Sequence, residues 1–149
     1  MTMLPKEFDF DPYGGCLDAQ SAWRSFGGLT VDEAYKKFCE RPEVYQEDFM
    51  FMGWTAFRFY FPVIEKWLSE AVPEDETDDF EAWIIGCAVE SQIEDNDEID
   101  GTMHYRIMAL CDFVIDRFDG LDIDKKEKKR VLKQWQRTKE ILERTTGSI

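Results

Sequence analysis

The side chains in this sequence best suited to chemistry are carboxylates. Glu90, Glu94 and Asp97 fall near the end of one helical pattern, and Asp112, Asp116 and Asp119 recur on the next. Acids facing inward from neighbouring helices can hold divalent ions that polarise a phosphoryl group. A metal-dependent hydrolase with Glu94, Asp97, Asp112 and Asp116 as ligands is therefore one reading. A calcium loop is a second, since Asn96, Glu98 and Asp100 take positions one, three and five of an EF-hand and Gly101 takes position six. Position twelve needs a bidentate carboxylate and is Ile107, so that loop lacks its strongest ligand. Nucleophilic catalysis has less to build on: His104 is the only imidazole, and no Gly-x-Ser-x-Gly turn or reactive-cysteine signature accompanies it. No phosphate-cradling G-x-x-x-x-G-K-[ST] loop is present.

The elements that must position these residues read as helices. Residues 1–16 form an irregular arm, broken by Pro5, Pro12 and the Gly14–Gly15 pair. "LDAQSAWRSFGG" predicts a short helix, capped by Asp18 and closed by Gly27 or Gly28. Thr30 and Glu33 make a capping box for the next, whose inner face is Val31, Ala34, Tyr35 and Phe38. Trp54, Phe57, Phe61, Ile64, Leu68 and Ala71 advance by three and four, as an amphipathic helix requires. Phe59, Tyr60, Val63 and Trp67 make that helix apolar around most of its circumference, which marks it as central, and Pro62 predicts a kink or break. Thr77 is the expected N-cap of a third long helix with Phe80, Trp83, Ile84, Cys87, Ala88 and Ser91 inward. Met103, Ile107, Leu110, Cys111, Val114 and Phe118 trace a fourth, ended by Gly120. Residues 125–144 form a basic amphipathic helix with Val131, Trp135, Thr138 and Leu142 on its stripe. The expected fold is all-α, a single compact domain over 1–149 of about five to seven helices joined by short loops.

Charge narrows the function classes. The net charge of −14 repels nucleic acid and anionic lipid, whose binding needs Lys and Arg on the protein, so neither a nucleic-acid nor a membrane partner is expected. From Lys125 onward nine basic residues face three acidic ones, a surplus of +6 that leaves −20 for the rest of the chain. Docking of the basic helix on the acidic body is the expected use of this asymmetry, because the helix also has an apolar stripe to bury. Cys16, Cys39, Cys87 and Cys111 lie far apart, without C-x-x-C spacing and with a single histidine, which argues against structural zinc. The start "MTMLPKEFDFDPYGG" has no basic-then-apolar leader, so reduced thiols in a cytoplasmic protein are expected, with no cofactor.

"YQEDFMFMGWTAFRFYFP", Tyr45 to Pro62, holds eight aromatic residues and two methionines. Most of it reads as core, with Phe49, Phe51 and Met52 the candidates for an exposed anchor. Glu47 and Asp48 read as helix-start acids or as partners of Arg58. The "EAYxxF" helix (Glu33–Phe38), the "YQEDFMFMG" turn (Tyr45–Gly53) and the "AFxxYFP" helix (Ala56–Pro62) resemble a family of small uncharacterised acidic bacterial proteins. That resemblance implies an immunity- or inhibitor-type role and no particular chemistry. Glu94-x-x-Asp97 and Asp116-x-x-Asp119 are similar to the paired acidic motifs of all-α nucleotide pyrophosphohydrolases, with most of the motif glutamates missing. The leading expectation is a non-enzymatic inhibitor of a basic protein partner, such as a nuclease-like toxin or another nucleic-acid-binding enzyme. Contact would come from Asp75, Glu76, Asp78, Asp79, Glu94, Asp95, Asp97 and Glu98 around the Phe49, Phe51 and Met52 anchor. A metal-dependent nucleotide hydrolase and an adaptor acting through the basic C-terminal helix are the alternatives.

Overall fold

The computed structural model describes residues 3–70, 80–96, 99–120 and 125–145, and among these the chain is helical, with no strand. Six helices have ten residues or more and three are single turns. The aromatic run "FRFYFPV", β-prone by composition, lies inside a helix. Contacts group the chain into two compact units, Met1–Glu70 and Ala71–Ile149.

The first unit contains α1 (Glu7–Phe10), α2 (Leu17–Phe26), α3 (Val31–Glu40), α4 (Pro42–Tyr45), α5 (Asp48–Phe51) and α6 (Trp54–Glu70). The long α6 receives α1 and α3, while α2 packs on α5. Its apolar circumference explains this position: Phe57, Tyr60, Phe61, Val63 and Ile64 are all fully buried. Pro62 does not break α6. A mid-helix proline costs about 3 kcal/mol, and each fully buried apolar side chain around it contributes about 1.5–3 kcal/mol, so burial outweighs the lost hydrogen bond.

Several chain ends in this unit are fastened by side chains. The capping box forms as expected, with the Glu33 amide donating to Thr30 Oγ1 at 3.1 Å and the Thr30 amide donating to Glu33 Oε1 at 2.9 Å. Those bonds hold the Glu33 carboxyl below its usual pKa. The start of α2 is a correction: Cys16 rather than Asp18 is the N-cap, and its side chain makes no cap bond. The acceptor comes from the arm, where Asp11 Oδ2 takes the Cys16 amide at 3.3 Å and Gln20 Nε2 at 2.9 Å.

The arm is therefore not irregular throughout. It contains α1, and the fully buried Phe10 meets the rings of Trp23 at 5.3 Å and Tyr60 at 5.9 Å. The Gly53 amide donates to the Phe10 carbonyl at 2.8 Å. Only glycine fits there, because a Cβ at position 53 would collide with the Asp9 carbonyl oxygen. Tyr60 closes the other side: its hydroxyl lies 2.9 Å from the Phe26 carbonyl and 2.7 Å from that of Leu29, and burial pushes its phenol up to about 12. Tyr60→Phe is expected to lower the unfolding free energy by about 1–2 kcal/mol. Urea denaturation measures it, and an unchanged midpoint would mean that the hydroxyl holds neither carbonyl.

The second unit contains α7 (Phe80–Glu94), α8 (Gly101–Asp119) and α9 (Lys125–Thr145). The expected Thr77 cap lies outside the described residues. Both α7 and α8 pack on α9, whose stripe of Val131, Trp135, Thr138 and Leu142 is fully buried as its spacing predicts. The α8 stripe is likewise buried from Met103 to Phe118. On α7 the inner face is corrected: Ala82, Ile85, Ala88, Val89 and Ile93 are buried, whereas Trp83, Ile84, Cys87 and Ser91 are only half-buried. This helix is apolar on all sides, so its sequence dictates no face. Gly86 selects one, because a Cβ there would stand 2.8 Å from Gln134 Cγ and 3.0 Å from Trp135 Nε1. The bare backbone lets α9 approach, and Trp135 Nε1 donates to the Ala82 carbonyl at 2.9 Å.

Candidate functional site

Along the contact between α7 and α9 the tertiary fold assembles a polar seam. Glu90 Oε1 accepts from Gln134 Nε2 at 2.9 Å and from Arg137 Nε at 3.1 Å. Gln134 also donates to Thr138 Oγ1 at 3.1 Å and accepts from Cys87 Sγ at 3.3 Å. Burial pushes the Cys87 thiol up, away from the reactive thiolate. Glu94, one turn beyond Glu90, hydrogen-bonds to it, and that bond raises the Glu94 carboxyl above its ordinary value. On the other side of α9, Lys139 Nζ pairs with Asp112 Oδ1 at 2.6 Å, which raises the lysine pKa. Arg130 lies 4.4 Å over the Trp83 ring. The basic helix is thus docked on acids of its own unit, as the charge asymmetry predicts.

Compared with known proteins, the chain matches no family model, no curated protein and no solved structure. The metal ligands proposed from sequence are placed as follows. Asp112 is engaged by Lys139, Asp116 and Glu94 are exposed, and Asp97 lies outside the described residues. Among the described residues no group of three His, Cys, Asp or Glu side chains is placed to hold a metal ion. The calcium-loop reading meets a different arrangement: Asp100 Oδ1 accepts the Met103 amide at 2.8 Å as N-cap of α8, and Gly101 through Ile107 are already helical. A helix cannot wrap an ion as the second half of that loop must.

Of the partner-binding acids, Glu94 and Asp95 are exposed at the end of α7. Asp75, Glu76, Asp78, Asp79, Asp97 and Glu98 lie outside the described residues. The apolar anchor is corrected. Phe49 and Met52 are buried, Phe49 against the rings of Phe26 at 5.5 Å and Phe38 at 5.7 Å, and only Phe51 remains 39% exposed. Two residues before Gly53, the chain has turned one flank of this stretch inward to cover α2 and α3.

One residue was read only in part and one group went unread. Asp48 does start a helix, as the first residue of α5, but it is buried, with the Ser25 hydroxyl and the Lys37 charge beside it. Lys37 Nζ is anchored in turn by the Ser25 carbonyl at 2.5 Å and lies 5.3 Å from the Tyr45 ring centre. The unread group is apolar. Phe8 and Tyr13 on the arm and Leu17 at the start of α2 are 68%, 97% and 84% exposed. Their signal was "FDFDPYGGCL", large apolar residues set among acids without helical spacing. The four cysteines are free. Among the described residues no helix is long and apolar enough to cross a membrane.

Proposed function

We propose that this protein is a cytoplasmic, non-enzymatic inhibitor or regulator that binds a basic protein, in the manner of an immunity protein or antitoxin. One observation supports it above the rest. Two cations of the basic helix, Arg137 and Lys139, are paired with Glu90 and Asp112 of its own unit, and although Lys126, Lys129 and Lys133 stay exposed, Glu94, Asp95, Asp116 and Asp119 also face solvent. With a net charge of −14 over the whole chain, the molecule offers partners a predominantly acidic surface. Such a surface steers a cationic protein toward it and suits a nuclease-like toxin or another enzyme whose own site is built for phosphate.

The test is capture by the tagged full chain from its source lysate at low and at moderate salt, with bound proteins identified by mass spectrometry. The expected result is one stoichiometric basic protein that is lost as salt rises, because screening shortens the reach of surface charge. Reversing Glu94, Asp95, Asp97 and Glu98 to lysine is expected to weaken that complex by about tenfold or more, mainly through slower association. A partner whose affinity ignores both salt and charge reversal would sink this reading.

A further inference from the structure

The arm and the start of α2 carry large apolar side chains that the fold does not bury. Phe8, Tyr13 and Leu17 present large apolar side chains to solvent, while their neighbours Phe10 and Asp11 are buried and hold the segment in place. The framework beneath them is ordered at several points: the Gly53 amide on the Phe10 carbonyl, Asp11 on the Cys16 amide and on Gln20, and Phe10 between Trp23 and Tyr60. Acids outnumber bases within residues 3–18, with Glu7 and Asp18 exposed and Asp9 half-buried against Lys6, and Arg24 is the exposed cation further along α2. Apolar side chains exposed by chance on a loose terminus lose their conformational freedom when they bind. Here the backbone is already fastened at Phe10, Asp11 and Cys16, so less freedom is lost when the exposed side chains bind.

We propose that this arm with the start of α2, residues 3–18, is the docking surface for the apolar face of a basic amphipathic segment of the partner, with Phe8, Tyr13 and Leu17 as anchors. Charge complementarity selects that occupant: a cationic rim matches the three carboxylates, whereas a second copy of this arm would bring like charges together. The inference rests on the basic-partner reading and adds to it where the apolar contact is made. It replaces the anchor that Phe49 and Met52, being buried, cannot provide.

The test titrates the isotope-labelled full chain with two model peptides of equal positive charge, a Leu/Lys amphipathic helix and a Ser/Lys peptide without an apolar face. The Leu/Lys peptide is expected to shift the amide resonances of residues 3–18 and to bind about tenfold or more tighter than the Ser/Lys peptide. Phe8→Ser combined with Leu17→Ser is expected to abolish that preference. Both side chains are exposed, so the variant keeps its core, and Tyr13→Ser gives a milder second variant with the same direction of effect.

Equal binding of the two peptides, or unchanged binding by the double variant, overturns the arm as anchor and leaves salt-sensitive capture of a basic protein intact. Binding of neither peptide overturns it too, again without touching the lysate result that decides the functional reading. A parent protein that sediments as a dimer and a double variant that sediments as a monomer would assign the surface to a second copy and overturn the proposal.

Discussion

Trp135→Ala is expected to lower the unfolding free energy by about 3–5 kcal/mol, measured by urea denaturation of the full chain. Trp135 is fully buried on α9, the helix against which both α7 and α8 pack. Its ring lies where Gly86 leaves no side chain, and its indole N–H satisfies the Ala82 carbonyl. Truncation removes the largest side chain of that core and leaves a cavity that three helices must collapse to fill. Trp135→Phe separates the contributions: it keeps most of the apolar volume and removes the indole donor, so the expected loss is about 1–2 kcal/mol. Since single domains hold about 5–15 kcal/mol in total, the alanine variant should lie near the edge of folding. A loss below about 1 kcal/mol would mean that α9 is peripheral, and would return weight to an adaptor role for the basic helix.

The second large effect concerns pH. Asp48 is buried, and burial pushes its carboxyl up to about 6 despite the Ser25 hydrogen bond and the Lys37 charge, which pull it down. A folded-state pKa above the unfolded value means that the native protein holds this proton more tightly. Its contribution is therefore most favourable below about pH 4 and is lost as pH rises through about 6. Above that range the buried charge costs the fold about 1–3 kcal/mol, allowing for its residual exposure. Asp48→Asn removes the charge and keeps the shape. The expected result is a gain of about 1–3 kcal/mol at neutral pH, no gain near pH 4, and a flatter stability profile between them. Denaturation of parent and variant across that window measures it. An asparagine variant less stable than the parent at neutral pH would show that attraction to Lys37 outweighs desolvation.

Local signals carried well where each had one physical solution. Thr30 and Glu33 need only three residues to satisfy one another, and their box forms as read. The stripes on α8 and α9 were legible because polar residues fill the opposite faces, so only one face can be buried. The candidate site was legible only in part. That the basic helix would dock on acids followed from its charge and stripe, but that Glu90 and Asp112 would be the acids did not.

What the sequence determined alone is an acidic, all-α chain with a basic amphipathic helix at one end, because composition and helical period act within a few turns. Tertiary structure decided the rest. On α7, apolar on every side, the gap at Gly86 chose the buried face. In the aromatic stretch, packing took Phe49 and Met52 inward and left Phe51 at the surface. Burial, which no local pattern reports, raised the carboxyl of Asp48. On the arm and at the start of α2, one buried phenylalanine and one glycine without room for a Cβ fastened the backbone and left Phe8, Tyr13 and Leu17 facing outward. Each outcome depends on residues far apart in the chain meeting at contact distance, and hydrophobic period and charge count contain no such distances.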